Sequence, residues 1–180
     1  NATPFRIAIN GYGRIGQCVL RALYENGYRD HLQVVAINEL SDIDTIAHLT
    51  KYDSTHGRFH GEVAVDGDNL VVNGDRIRVL RHPEPEELPW RLLDVDLVLE
   101  CSGAYSDRAT AEKHIEAGAR RLLFSQPGDP DVDRTVVFGI NDGDLNGQDV
   151  IVAAGSCTTN CLVPVIKVLD DAFGVEQGST

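Results

Sequence analysis

The strongest constraint on the fold lies near the start of the chain. Phe5-Arg6-Ile7-Ala8-Ile9-Asn10 alternates weakly and reads as a buried strand. It runs directly into Gly11-Tyr12-Gly13-Arg14-Ile15-Gly16. Ile15, Val19, Leu20, Leu23 and Tyr24 then recur at helical spacing, and Asn26-Gly27 supplies a stop. A second strand, Val34-Val35-Ala36-Ile37, ends in Asn38-Glu39. Strand, glycine turn, helix, strand and acid in this order point to parallel strands joined by a right-handed crossover. Gly11 permits the tight turn, Gly13 lets a pyrophosphate approach the backbone, and Gly16 lets helix and strand pack closely. The helix N-terminus offers free N–H groups and a positive dipole end to phosphates. Glu39 is placed to accept hydrogen bonds from a ribose diol, and its charge would repel a 2′-phosphate, which favours NAD over NADP. The competing reading is a glycine-rich turn used only for packing.

The rest of the chain continues the alternation. Asp42 to Leu49 has a helical pattern capped by Ser41 or Asp42. Lys51 to Phe59 is polar and loop-like. Glu62 to Asp66, Leu70 to Val72 and Arg76 to Leu80 are short alternating strands separated by Gly67-Asp68-Asn69 and Asn73-Gly74-Asp75, an antiparallel excursion from a parallel sheet. Leu88-Pro89-Trp90 anchors the preceding loop on the core. Val95 to Cys101 is a buried strand ending in Ser102-Gly103. Asp107 to Ala117 is a helix capped by Ser106 or Asp107 and stopped by Gly118, with His114 structural or solvated. Arg121 to Phe124 is a strand ending in Ser125, and Val136-Val137-Phe138 and Val150 to Ala153 complete the series. The expected fold is α/β, a Rossmann-type parallel sheet with helices on both faces and a small antiparallel excursion.

After that last strand comes Gly155-Ser156-Cys157-Thr158-Thr159-Asn160-Cys161, then a helical run from Leu162 to Phe173 that stops at Gly174. A thiol at Cys157 would sit near helix N–H groups, where the dipole favours thiolate, a candidate for covalent catalysis. The alternative is a cysteine used as a small buried apolar residue. In an open parallel sheet, ligands bind outside the carboxyl ends of the strands. The Gly11–Gly16 turn, Glu39, Ser102, Ser125 and Cys157 each follow a strand and are expected along one edge. A thiolate beside a nicotinamide can add to an aldehyde to form a hemithioacetal, whose carbon passes a hydride to the nicotinamide and leaves a thioester for water or phosphate to release. That chemistry also needs a general base, most often His, and cations for any substrate phosphate. His56, His60, His82 and His114 all precede Cys157, and the pattern singles out none of them.

Composition narrows the partners. The 180 residues allow one ordinary domain, or one domain and part of another, and 42% hydrophobic content suffices for a packed core. A net charge of -12 argues against nucleic acid or an anionic membrane surface as partner. No apolar run reaches the length of a membrane span, and the N-terminus has no signal-peptide pattern. Cys18, Cys101, Cys157 and Cys161 lack zinc-like spacing, so no metal is expected, and reduced thiols point to a cytoplasmic protein. The absence of Met, even at position 1, suggests a processed chain or a piece of something longer.

Three motifs carry a resemblance. Asn10-Gly11-Tyr12-Gly13-Arg14-Ile15-Gly16, Lys51-Tyr52-Asp53-Ser54-Thr55-His56-Gly57 and Ser156-Cys157-Thr158-Thr159-Asn160-Cys161 resemble the phosphorylated-aldose dehydrogenases of the glyceraldehyde-3-phosphate dehydrogenase family. Asn38-Glu39-Leu40 and Phe124-Ser125-Gln126-Pro127-Gly128 are similar to its erythrose-4-phosphate dehydrogenase branch. The resemblance implies an NAD-dependent enzyme with a small phosphorylated aldehyde substrate, oxidising D-erythrose 4-phosphate to 4-phospho-D-erythronate on the way to pyridoxal phosphate; the alternatives are a glyceraldehyde-3-phosphate dehydrogenase or, for these residues in isolation, a non-catalytic NAD-binding module. It implies Cys157 as the nucleophile, Tyr12, Arg14 and Ile15 at the pyrophosphate turn, and Glu39 as the ribose-binding acid. It further implies Arg81 on the adenine side, Ser102 and Ser125 lining the cofactor, and Ser156 and Thr158 bordering an anion site. Residues 1–155 would form the NAD-binding domain, and 156–180 the nucleophile turn and first helix of a catalytic domain. The family's catalytic His is then expected just beyond Thr180, and the full-length enzyme is expected to be a homotetramer.

Overall fold

The computed structural model describes residues 3–179; residues 1, 2 and 180, which the two-domain expectation includes, lie outside the description. In chain order the elements are β1 (Phe5–Asn10), α1 (Arg14–Glu25), β2 (Leu32–Asn38), α2 (Ile43–Lys51), β3 (Tyr52–Asp53), β4 (Gly57–Arg58), β5 (Val63–Asp66), β6 (Asn69–Val72) and β7 (Asp75–Leu80). They continue with β8 (Leu97–Glu100), α3 (Arg108–Glu116), β9 (Arg121–Phe124), β10 (Arg134–Thr135), β11 (Ile151–Ala153) and α4 (Cys157–Phe173).

One nine-stranded sheet organises the molecule, in the order β10-β11-β9-β8-β1-β2-β7-β6-β5. β1 pairs in parallel with both β2 and β8, and the parallel ladder extends through β9, β11 and β10 on one side and β7 on the other. Only β5, β6 and β7 pair antiparallel within it. The excursion is therefore the sheet's own edge rather than a separate layer. A second, two-stranded sheet joins β3 to β4, so the loop expected over Lys51 to Phe59 contains a short hairpin.

The alternation along β1 separates two cores. Ile7 and Ile9 point into a cluster with Leu20 and Leu23 of α1 and Ile46 of α2. Ala8 points the other way, into a cluster with Ala111 of α3, Leu88, Trp90 and Val98. Full burial of one such Leu or Ile side chain is worth roughly 1.5–3 kcal/mol. Helices thus cover both faces, which forces the strand ends carrying the polar loops to a shared rim.

Caps set the helix starts. Asp42 and Asp107 begin α2 and α3 by accepting from Thr45 N and Thr110 N, each at 2.8 Å. That places both caps on the aspartate rather than on the preceding serine. α4 begins five residues earlier than Leu162, the start expected from its apolar pattern, because Ser156 Oγ accepts from Thr159 N at 3.0 Å. It then runs unbroken through Pro164 to Phe173, and none of its residues is buried. The strand expected over Val136-Val137-Phe138 does not form. The ladder there is Arg134–Thr135, and Asn141 Oδ1 takes Val137 N–H at 2.7 Å, which turns the chain away and leaves Phe138 86% exposed. Among the described residues, no helix is long and apolar enough to cross a membrane, and no group of three or more His, Cys, Asp or Glu could hold a metal ion.

Candidate functional site

The strand order changes direction between β1 and β8, since β1 is followed by β2 on one side while β8 and β9 continue on the other. Ligands of open α/β sheets bind in the crevice above such a switch point. A cleft of about 330 Å³ opens there, lined by Gly11, Gly13, Glu39, His82, Cys101 and Ser102 among others.

Each glycine of the turn has a separate reason. Gly11 has φ +87, and a Cβ on it would meet the Ser102 backbone at 2.5 Å. A Cβ on Gly16 would meet Gly11 O at 2.5 Å and Ile9 Cγ2 at 3.1 Å, so α1 seats directly on β1. Gly13 caps α1 from an extended conformation, and a Cβ there would touch nothing within 4 Å. Packing therefore explains Gly11 and Gly16 but not Gly13. Open space in front of a helix N-terminus fits a phosphate group.

The turn is held from below. Tyr12 is 2% exposed, and its hydroxyl pairs with Thr50 Oγ1 of α2 at 2.7 Å. Burial raises the Tyr12 phenol well above its ordinary range, only partly offset by that bond and by Arg21, so it stays neutral. Gln17 Nε2 donates to Tyr12 O at 2.8 Å. Tyr12 N donates to Glu39 Oε2 at 2.9 Å, while Glu39 Oε1 accepts from Leu40 N at 2.8 Å and from Ser41 N at 3.3 Å. Three backbone donors thus hold Glu39 in one position, with lone pairs on Oε2 left for a diol.

The remaining expected residues spread along the rim. Ser102 lines the cleft. Ser125 follows β9 and donates its N–H to Glu100 O at 3.1 Å. Arg14 turns away to an ion pair with Asp53 and a bond to Thr55, clamping the β3–β4 hairpin to α1, and Ile15 is exposed outside the cleft lining. Arg81 faces Asp68 at 3.7 Å instead of the cleft, and its neighbour His82 provides the lining there. Cys157 is the first residue of α4 and is exposed. Ser156 Oγ is shared with Thr158 Oγ1 at 2.9 Å and Thr159 Oγ1 at 2.7 Å. Asn160 Nδ2 donates to Ala154 O at 2.7 Å and Ser156 O at 2.9 Å, pinning the turn around Gly155. β11, which feeds Cys157, lies three strands from β1, about 14 Å at the usual strand spacing. Cys101 offers the contrasting thiol: burial pushes it up to about 11, against a smaller opposing effect from Ser125, which marks it as structural.

The sequence reading missed the polar residues under the cleft. Asn10, Asn38 and Glu100 each end a buried strand, and all three are buried. A polar residue closing an apolar run is the signal that could have found them. Burial alone would raise Glu100, but hydrogen bonds from His114, Ser102 and Asn10 outweigh it and hold the carboxyl below its ordinary value.

A parallel sheet with a glycine turn, an open helix N-terminus and an acid on the next strand end defines a dinucleotide-binding α/β domain. Family comparison sharpens this. Residues 5–108 match the model for the glyceraldehyde 3-phosphate dehydrogenase NAD binding domain, and residues 156–180 match the model for the C-terminal domain of the same enzymes. The chain belongs to the glyceraldehyde-3-phosphate dehydrogenase family, which makes it an NAD-dependent oxidoreductase with NAD as its cofactor. Within this chain the Gly11–Gly16 turn, Glu39 and Ser102 would hold the cofactor, which supplies the hydride acceptor when bound.

Proposed function

We propose that this chain carries the cofactor domain and nucleophile of a dehydrogenase acting on a small phosphorylated aldose, D-erythrose 4-phosphate, with 4-phospho-D-erythronate as product and pyridoxal phosphate synthesis as its context. Residues 1–155 form the NAD domain, and residues 156–180 open the catalytic domain. The observation that carries the reading is Cys157, exposed as the first residue of α4 on the same rim as the dinucleotide cleft. Cys157 Sγ, as thiolate, attacks the aldehyde carbon to give a thiohemiacetal; its carbon-bound hydrogen would leave as hydride to NAD and its hydroxyl proton to a general base, leaving a thioester on the same sulfur. Ser156 and Thr158 border the oxyanion and phosphate side, and water releases the acid. Glu39-Leu40 after β2 and Gln126 after β9, the latter donating to Tyr105 O, support the erythrose-4-phosphate branch by resemblance. The full-length enzyme is proposed to be a cytoplasmic homotetramer.

Turnover of D-erythrose 4-phosphate and glyceraldehyde 3-phosphate by the full-length protein, each with and without inorganic phosphate, tests the substrate. The expected result is preference for the four-carbon sugar without need of phosphate. Preference for glyceraldehyde 3-phosphate with strict phosphate dependence would overturn it. Cys157→Ser should leave NAD binding within about twofold and remove the acyl adduct seen by mass spectrometry after acid quench. An adduct that persists in this variant would place the nucleophile elsewhere.

A further inference from the structure

The buried polar groups beneath the cleft have a hydrogen-bond polarity fixed from both ends. At one end, Trp90 is fully buried and its indole N–H, which can only donate, points at His114 Nδ1 at 3.0 Å. Nδ1 must accept, so His114 carries its proton on Nε2 and donates to Glu100 Oε2 at 3.2 Å. At the other end, the His82 backbone N–H donates to Asn38 Oδ1 at 2.9 Å, and Asn38 Nδ2 donates to His82 O at 2.9 Å. That fixes the amide, whose Nδ2 also donates to Asn10 Oδ1 at 2.8 Å. Asn10 Nδ2 is then obliged to donate to Glu100 Oε2 at 2.7 Å. On the remaining oxygen, Ser102 N donates to Oε1 at 2.9 Å. Ala104 N–H donates to Ser102 Oγ at 3.2 Å, and the Ser102 hydroxyl hydrogen goes to Glu100 Oε1.

Every group that faces Glu100 is therefore a donor: His114 Nε2–H, Asn10 Nδ2–H, Ser102 N–H and Ser102 Oγ–H. They fill the four acceptor sites of a carboxylate, and three of them, His114 Nε2–H, Asn10 Nδ2–H and Ser102 N–H, cannot accept a hydrogen bond from an amide nitrogen on either side. With no lone pair left over, Glu100 cannot itself hold a cofactor. Of its partners Asn10 and Ser102 line the cleft, as do Asn38 and His82 further along the same network, and these four come from the ends of β1, β8, β2 and β7 or the residues just after them.

We infer that Glu100 is a positioning residue for NAD, an ionised carboxylate that sets the donor and acceptor directions of the cleft floor through Asn10 and Ser102. Because the Ser102 hydroxyl hydrogen is committed to Glu100, Ser102 Oγ meets the cofactor as an acceptor, suited to a ribose hydroxyl or an amide N–H and unsuited to a phosphate oxygen. The inference rests on NAD as cofactor and is independent of which aldehyde is oxidised.

The test exploits the fixed polarity. In Glu100→Gln, the new amide must oppose either the Ser102 N–H or the Asn10 and His114 donors, whichever way it turns. In Asn10→Asp, two carboxylates meet. When Asn10→Asp and Glu100→Gln are combined, the introduced amide donates through its nitrogen to the introduced carboxylate, while its oxygen keeps the two Ser102 donors. His114 still faces the amide nitrogen, so recovery is partial. Isothermal titration of NAD against the full-length protein should show each single variant weakened about tenfold or more. The double variant should bind NAD more tightly than either single variant. In steady state, the single variants should raise KM for NAD with kcat held within about threefold. Losses that merely add in the double variant, or Glu100→Gln binding NAD like the parent, would overturn the inference. Should a single variant fail to fold, recovery of folding in the double is the expected outcome, and failure of the double counts against it. Nitrogen-15 shifts of His114 in the unaltered protein give an independent reading: a protonated Nε2 and bare Nδ1 are expected, and the opposite tautomer would refute the polarity.

Discussion

Gly13→Ala separates a glycine kept for a ligand from a glycine kept for packing. An added methyl at Gly13 meets nothing within 4 Å, and the backbone there has φ -78, open to any residue. Two small effects on stability oppose each other. Alanine caps a helix less well than glycine by about 0.5 kcal/mol, and loss of glycine's freedom in the unfolded chain stabilises by about 0.4–1 kcal/mol. The net change should fall within about 0.5 kcal/mol of zero, a shift of Tm of at most about 2 °C for a chain of this size. NAD binding should respond quite differently. A methyl held in front of the α1 N-terminus keeps a phosphate oxygen from the backbone donors, and a charge-assisted bond of that kind is worth about 1.5–3 kcal/mol. The dissociation constant should therefore rise about ten- to a hundredfold. Gly11→Ala gives the reverse emphasis, since its methyl enters a left-handed backbone and lies 2.5 Å from Ser102 Cα. Strain of about 1–3 kcal/mol and overpacking of about 1–3 kcal/mol should lower Tm by about 5–20 °C. Differential scanning fluorimetry and NAD titration on the same samples of full-length protein make the comparison. A Gly13→Ala protein that binds NAD as tightly as the parent, or that loses stability like Gly11→Ala, would refute the reasoning.

Other outcomes follow from single contacts. Glu39→Gln keeps an acceptor for Tyr12 N but removes the charge, so NAD should weaken and the preference over NADP should shrink by about tenfold or more in titrations of both cofactors; an unchanged ratio would remove Glu39 from the ribose site. Tyr12→Phe strands Thr50 Oγ1 with only its bond to Ile46 O, so stability should fall by about 1 kcal/mol in urea unfolding, with NAD affinity unchanged. Asp75 is held below its ordinary value chiefly by Arg29, with Tyr24 also donating and burial opposing. A depressed folded-state carboxyl stabilises above its unfolded value and loses that contribution as pH falls through the folded one. Asp75→Asn should therefore lower stability near neutrality and flatten the decline in acid below about pH 4. Parallel curves for parent and variant across that range would refute it.

How much of this was legible depended on whether a residue's role is local. The glycine turn, the β1–α1–β2 unit and the carboxyl rim could be read because strand alternation, helical spacing and the acid after β2 all lie within a short stretch. The start of α4 was misplaced because Ser156-Cys157-Thr158-Thr159-Asn160 is built of small and β-branched residues of modest helix propensity; the Ser156 cap and the Asn160 side chain supply what propensity does not. Val136-Val137-Phe138 has strand composition, yet Asn141 bends it out of the ladder through a bond that composition cannot express. Arg81 aligned with a cofactor position by its place in sequence, but the chain presents it to Asp68 and brings His82 inward. The Glu100 network was invisible for a simpler reason: its members come from four strand ends and two helical or loop segments, and only the folded sheet brings them within bonding distance.

The bonds of Asn160 bear on how the thiol is aimed. Gly155, with φ +71, is the natural pivot between the sheet and α4, and a free pivot would let the thiol swing relative to the cofactor cradle. One side chain spans it, gripping Ala154 on the sheet side and Ser156 on the helix side. The latch ties the start of α4 to the end of β11, so under the proposed function the backbone that carries Cys157 takes its place beside the dinucleotide cleft during folding rather than with each arriving substrate. A change of substrate in this scaffold would then have to be accommodated by the side chains around this turn, while the backbone that bears the thiol keeps its place.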